Sequence, residues 1–490
     1  MKLKSKLDKI LAGLSGTSSV PLPSPTPKAL DPFDASTPLL QFGDGHVWTL
    51  SDAYMGVQVL GGTGSGKTSS SGASMALSFL QQGFGGLVLS AKPDERDLWE
   101  RYCAQAGRKM VIFGPERGYR FNPLAYEIAR GGRGAGITGN VADTFMSISE
   151  TTQGKGGGTN EDYFRSAMRQ LLCRSIDVVS MATGSISLPN ILDAIMSAPQ
   201  SRVEAESQEW KDRSFLAECL REAETKRTKE NAADLDHTRR FWLQEFPSLG
   251  DRTRSSIVSM VTVTADPFLT GPMRELFCTD TNIVPEMTHM GEIIFIDIPV
   301  EVYKDVGVAA QLLWKHVWME ATARREPDKD GGRPTFLFAD ESQFFCSKGD
   351  LRFQATARSK RACTVYLSQN LPTLFDRVGQ DRTNALLGNL QTKIFHSNGD
   401  PKTNEMAAST IARGVIRRSS MNVSTGGGAS FGENEAVDFV VPPAEFQRLR
   451  RGGPENGNLV DAYIFQAGRI WPSTGESFMK VTFKQPQLEK

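Results

Sequence analysis

The segment Gly61-Gly62-Thr63-Gly64-Ser65-Gly66-Lys67-Thr68 carries the densest chemical signal in the chain. Glycines at this spacing let backbone N–H groups turn inward around an anion, and Lys67 adds a charge that reaches the β- and γ-phosphates of a nucleoside triphosphate. The Thr68 hydroxyl is a Mg²⁺ ligand in such a loop. An apolar run, 55–60, precedes the motif, and small residues beginning Ser69-Ser70-Ser71-Gly72 follow it. That is the strand–loop–helix order the motif requires. Ser69 opens a helix slim enough to lie close under a nucleotide and lends it the positive end of a helix dipole.

A second run, Thr335-Phe336-Leu337-Phe338-Ala339, ends in the carboxylates Asp340 and Glu341. A strand delivering Asp340 to the sheet edge beside the phosphate loop places it in the Mg²⁺ shell. Glu341 then becomes the general base for the water that attacks the γ-phosphate. Gln369 ends the next apolar run, 365–368, where its amide can bond the γ-phosphate and report its loss, as in RecA-like motors. Arg358-Ser359-Lys360-Arg361 lies just upstream. In ring ATPases this is where an arginine reaches into the neighbouring subunit's site, a contribution of about 10³–10⁵ in rate. Arg358 is the first candidate and Arg361 the second.

These residues need a sheet to carry them. Short apolar runs at 58–60, 86–90, 109–113, 292–298, 335–339, 363–368 and 392–396 read as buried strands, with helices over 71–82, 94–106 and 306–324 between them. Strands alternating with helices give an α/β fold with a parallel sheet, here a RecA-like P-loop domain. Residues 1–38 combine a basic amphipathic segment (Leu3, Leu7, Ile10, Leu11 and Leu14 flanked by lysines) with a Pro/Ser-rich linker. The nucleotide-binding domain is expected over 39–130 and again over 286–490, with an all-α insertion domain at 131–285. The insertion is marked by apolar stripes at Tyr163, Ala167, Leu171, Leu172, Ile176 and Val179 and at Leu188, Ile191, Leu192 and Ile195. Residues 204–236 read as charged, solvated helix. Glycine-rich stretches at 131–136, 154–158 and 426–432 read as loops, and the runs at 462–465 and 478–483 as edge strands at best.

The balance of 56 basic and 56 acidic residues predicts no partner from global charge. Six dispersed cysteines with no C-x-x-C pair exclude a zinc site of that kind and point to a reducing cytoplasm. No apolar run approaches the roughly 18 residues of a membrane-spanning helix, and the N-terminal residues do not form a secretory signal.

The order of motifs resembles that of the type IV coupling proteins of TraG/TraD type. The stretches Asp162-Tyr163-Phe164-Arg165, Thr253-Arg254-Ser255-Ser256, Phe338-Ala339-Asp340-Glu341-Ser342-Gln343 and Ser368-Gln369-Asn370-Leu371-Pro372 are similar to that family's landmarks, as are 388–394 and 441–446. The likeness spans about 40–485. It implies a homohexameric ATPase that uses ATP and Mg²⁺, with DNA (single-stranded and bound without sequence preference), a relaxase or other secreted cargo, and type IV secretion channel components as partners. Family members usually begin with transmembrane helices. With no such run in this sequence, membrane contact is expected to be peripheral or through a partner. Family members also tend to have Asp-x-Lys where this chain has Ser90-Ala91-Lys92, which retains the lysine. Lys155, Arg413, Arg417 and Arg418 are the candidates for gripping DNA in a pore. Two other readings stay open: an adaptor that recruits effectors without pumping, and a DNA-translocating ATPase of the segregation or packaging type.

Overall fold

The computed structural model describes residues 33–487 apart from 133, 153–158 and 424–428. The basic amphipathic segment, most of the Pro/Ser-rich linker and the Lys155 loop lie outside the described residues. Near the start of the described residues lies a short hairpin, β1 (Pro38–Gln41) and β2 (Val47–Thr49).

Seven parallel strands follow from the apolar runs: β3 (Val57–Leu60), β4 (Gly85–Leu89), β5 (Val111–Phe113), β6 (Ile293–Ile296), β7 (Thr335–Ala339), β8 (Ala362–Ser368) and β9 (Thr392–Phe395). Every residue of β3, β4, β6, β7, β8 and β9 is buried, because helices cover both faces of the sheet. A long ribbon, β10 (Arg413–Val423) with β11 (Ala429–Phe439), stands apart from this sheet. Finally β12 (Leu459–Gln466) and β13 (Phe478–Lys484) extend it antiparallel, giving the order β13-β12-β9-β3-β8-β7-β4-β6-β5. The phosphate-loop strand β3 and the carboxylate strand β7 thus flank β8. That arrangement puts the ends of three motif-bearing strands at one edge.

On one face the helices Ala73–Gln81 and Glu95–Gln105 pack Phe79 and Trp99 against Phe336, with Trp99 also against Phe338. On the other face lies the helix Val300–Arg324. Its Trp314 meets Phe113 and Phe121 at centroid distances of 4.9 and 4.3 Å. The helices from Thr138–Thr152 to Gly271–Cys278 all fall between β5 and β6. Their apolar stripes join this second face in one continuous core that includes Met168, Leu171, Ile176 and Val261. The helical block therefore shares its interior with the sheet.

The structure departs from the sequence-based expectations in several places. The charged stretch 204–236 is broken into short helices, each opened by a serine or asparagine at or near its cap. Residues 429–432, expected in a glycine loop, belong to β11, while 424–428 lie outside the described residues. β12 is an interior strand, hydrogen-bonded on both sides, and of these two strands β13 alone is at an edge. A break at the non-helical Lys304 divides Val300–Arg324, so a short extra turn precedes the helix expected from 306.

Candidate nucleotide site

Residues 61–68 leave the end of β3 as a tight loop. Gly61 N–H donates to Ser368 O, Gly62 N–H to Ser397 O, and Ser65 N–H to Gly62 O at 3.0 Å. Gly64 and Gly66 have φ of +70° and +86°, which only glycine adopts without strain, and a Cβ on Gly66 would lie 2.9 Å from Val460 Cγ2. The loop runs into a wide helical turn, Thr68–Gly72, and then the helix Ala73–Gln81. Ser65 Oγ is buried with no partner, a polar atom left for a ligand to satisfy.

At the end of β7, Thr68 Oγ1 donates to Asp340 Oδ2 at 2.5 Å, joining the two oxygen donors a Mg²⁺ ion would take. Among the described residues no group of three or more His, Cys, Asp or Glu side chains could hold a metal. Glu341 follows in a left-handed conformation (φ 48°, ψ 45°), a strained choice for a side chain with a Cβ. Its carboxylate is almost fully buried. Oε2 accepts from Gln343 Nε2 at 2.8 Å, and Oε1 accepts from Gln369 Nε2 at 3.2 Å and Lys92 Nζ at 3.3 Å, with Lys67 Nζ at 3.7 Å. Burial pushes the Glu341 carboxyl up. The Lys67 charge, the two amides and Lys92 outweigh it and hold the carboxyl below the usual glutamate value. Burial likewise pulls Lys92 down, but Glu341 and Asp340 hold it above the ordinary lysine value. Ser342 Oγ and Ser368 Oγ, 2.6 Å apart, tie the ends of β7 and β8 together.

Behind this edge sits a buried ion pair. Lys315 Nζ donates to Asp350 Oδ2 at 2.6 Å and to Phe345 O at 2.5 Å, and the Tyr366 hydroxyl donates to Asp350 as well.

The model of the type IV secretory system conjugative DNA transfer family matches residues 25–415. The chain belongs to that family. No curated protein sequence matches it. Among solved structures it is similar to the unbound bacterial conjugative coupling protein TrwBdeltaN70, with a TM-score of 0.62 and 16% identity over 93% of this chain and 90% of that one. TrwB in complex with ADP and Mg²⁺ gives a TM-score of 0.60 at 16% identity, covering 92% of this chain and 90% of that one. TrwB with a non-hydrolysable ATP analogue gives 0.60 and 16% over 93% and 91%. At that identity the likeness carries the mixed α/β fold.

In this family member Lys67, Thr68, Asp340, Glu341 and Gln369 converge at one sheet edge. Arg358 does not join them. It is exposed at the opposite, N-terminal end of β8, away from its own chain's phosphate loop. Arg361 donates to Gly332 O at 2.8 Å and is engaged within its own chain. Arg413 lies over the Phe439 ring at 4.6 Å, and the side chains of Arg417 and Arg418 are outside the described residues.

Several contributors escaped sequence reasoning. Gln343 repeats an amide two residues beyond Glu341, a local signal that could have been read. Gln485 Nε2 donates to Ser69 Oγ at 2.5 Å, its Oε1 accepts from Gly453 N–H, and Arg451 Nε reaches Ser397 Oγ at 3.3 Å. The C-terminal hairpin thereby walls the phosphate loop, and no pattern near residue 485 announces it. Glu95, whose Oε2 accepts from Ala91 N–H, is pushed well up by burial first and Asp340 second.

No single helix among the described residues is long and apolar enough to cross a membrane.

Proposed function

We propose that the chain is an ATP-driven coupling protein that recruits DNA with its relaxase and drives them into a type IV secretion channel as a homohexamer. The observation that carries this reading is the convergence of Lys67, Thr68, Asp340, Glu341 and Gln369 at one sheet edge, in a chain of the conjugative DNA transfer family. TrwB binds ADP with Mg²⁺ and an ATP analogue, and ATP with Mg²⁺ is the assignment here.

In this reading the backbone N–H groups of 61–68 and Lys67 bind the phosphates, while Ser69 lies under the nucleoside side. Thr68 and Asp340 hold Mg²⁺, which when bound neutralises charge on the phosphates. Glu341 accepts the proton of the attacking water. Its lowered pKa keeps it ionised, at some cost in basicity. Gln369 bonds both the base and the terminal phosphate, so hydrolysis is felt at β8. Arg358, at the far end of that strand, completes the neighbour's site.

The test is ATP hydrolysis by the full chain with and without single-stranded DNA, beside Lys67→Ala and Glu341→Gln. DNA-stimulated turnover abolished by both variants, and falling steeply with salt, supports the motor. Hydrolysis indifferent to DNA would favour the non-pumping adaptor.

A further inference from the structure

Glu341 is held from both sides of its strand. Lys67 follows β3 and Gln369 follows β8, while Lys92 stands three residues beyond β4, the strand paired to β7 on its other flank with Leu89 opposite Ala339. Three donors therefore converge on Oε1: Gln369 Nε2 at 3.2 Å, Lys92 Nζ at 3.3 Å and Lys67 Nζ at 3.7 Å.

That set cannot survive nucleotide entry unchanged. Lys67 is the phosphate ligand, so its ammonium leaves the carboxylate when a triphosphate occupies the loop. The Glu341 side chain is only 4% exposed, and a buried carboxylate left with neutral amides alone is poorly compensated. Lys92 has no such competing duty. Among the described residues its ion pair is with Glu341, and 39% of its side chain is exposed, so it can follow the carboxylate as the site rearranges. The left-handed backbone at Glu341 already fixes its Cα–Cβ direction. The side-chain torsions are the remaining freedom, and a charged donor at Oε1 limits them together with the amides of Gln343 and Gln369.

We propose that Lys92 is the positioning residue for the general base, taking sole cationic hold of Glu341 once the phosphates claim Lys67. The proposal rests on the reading of Glu341 as the base. Lys92 acts through that carboxylate and contributes no bond to the substrate. A guanidinium at the same position can make the same contact, whereas a methionine keeps the bulk and removes the charge.

Two measurements test it. In steady-state hydrolysis, Lys92→Met is expected to lower kcat about tenfold with KM for ATP within about twofold, and Lys92→Arg to recover most of the loss. Lys92→Met placed on Glu341→Gln is expected to cost nothing further, since the two side chains act as a unit. An unchanged kcat, or a raised KM at unchanged kcat, would overturn the assignment. The second readout needs no turnover: a crystal structure of the full chain with Mg²⁺ and a non-hydrolysable ATP analogue. Lys67 Nζ is expected on the phosphates with Lys92 Nζ still bonded to Glu341. Lys92 bound to phosphate, or turned to solvent, would sink the proposal. Failure of the wild-type protein to hydrolyse ATP would instead count against the proposed function, and the crystal contacts would still decide the role of Lys92.

Discussion

The Lys315 ammonium and the Asp350 carboxylate meet 2.6 Å apart with neither side chain exposed. The pair braces the nucleotide edge from behind. Phe345, whose carbonyl accepts from Lys315, lies four residues beyond Glu341, and Tyr366, which donates to Asp350, lies three before Gln369. Removing one partner of a buried pair leaves an uncompensated charge and costs about 3–5 kcal/mol, whereas replacing both with apolar groups is often close to neutral. Lys315→Met should therefore lower the melting temperature sharply, and Lys315→Met with Asp350→Leu should melt well above the single variant. A single variant that melts with the wild type would show that the pair contributes nothing net.

The contact between Thr68 Oγ1 and Asp340 Oδ2 predicts how Mg²⁺ should couple to nucleotide affinity. A bond to a charged group contributes about 1.5–3 kcal/mol, tenfold or more in affinity. Thr68→Ala and Asp340→Asn are each expected to remove most of the gain in ATP affinity that Mg²⁺ provides. Without Mg²⁺, Asp340→Asn should bind as well as wild type or better, because a carboxylate beside the phosphates has been neutralised. Fluorescent-nucleotide titrations with and without Mg²⁺ check both points, and an undiminished Mg²⁺ effect would remove these residues from the metal site.

Histidines lowered by burial set an acid limit on stability, and His316, pulled down to about 4, is one of three. Burial pulls His289 down to about 4, with Arg325 adding to it, and pulls His396 down to about 3, with Lys67 adding to it. Between the ordinary value of 6.5 and those lowered values the unfolded chain binds protons that the folded chain does not. Stability therefore rises with pH across that window and is lost as pH falls through it, by about 1.4 kcal/mol per pH unit for each histidine. The hydrogen bonds of His289 to Thr322 and of His396 to Ser71 hold those neutral rings in place. Denaturant midpoints measured from pH 6.5 to 5 should fall steadily, and His289→Asn should flatten that slope. An equal slope in the variant would place the titration elsewhere.

The phosphate loop and the Asp340-Glu341 strand end were legible because their chemistry is local: residue type and spacing along one stretch determine where the groups point. The parallel strands were legible for a related reason, since burial on both faces makes most of them short apolar runs, interrupted by Gln58 in β3, Thr364 in β8 and Thr392 and Lys393 in β9. The helical stripes were read with one error. Leu171, Leu172, Ile176 and Val179 are buried, but Tyr163, farther toward the start of the same helix, is 54% exposed. What stayed hidden is set by distant pairing. Lys315 sits where a helix would ordinarily show a solvated lysine, and only Asp350 and Tyr366, brought from later elements, make its burial tolerable. β12 alternates as a half-exposed strand would, yet it lies between β9 and β13. Gln485 reaches Ser69 across 416 residues of sequence, beyond any local pattern.

Arg358 gives the sharpest test of assembly. It lies at the end of β8 opposite to Gln369 and is exposed, so it cannot serve its own chain's phosphates. Arg358→Ala should lose about 10³ or more in turnover if the guanidinium acts on a neighbour, with ATP binding largely retained. Glu341→Gln should be equally inactive for a different reason. In a mixed ring, an Arg358→Ala subunit offers an intact base and phosphate loop, and a Glu341→Gln subunit offers an intact arginine. Mixing the two inactive proteins should therefore restore part of the activity, rising with the fraction of junctions that pair one good half with the other. Mixtures that stay as inactive as their components would place Arg358 outside the catalytic machinery, on an ordinary solvated surface.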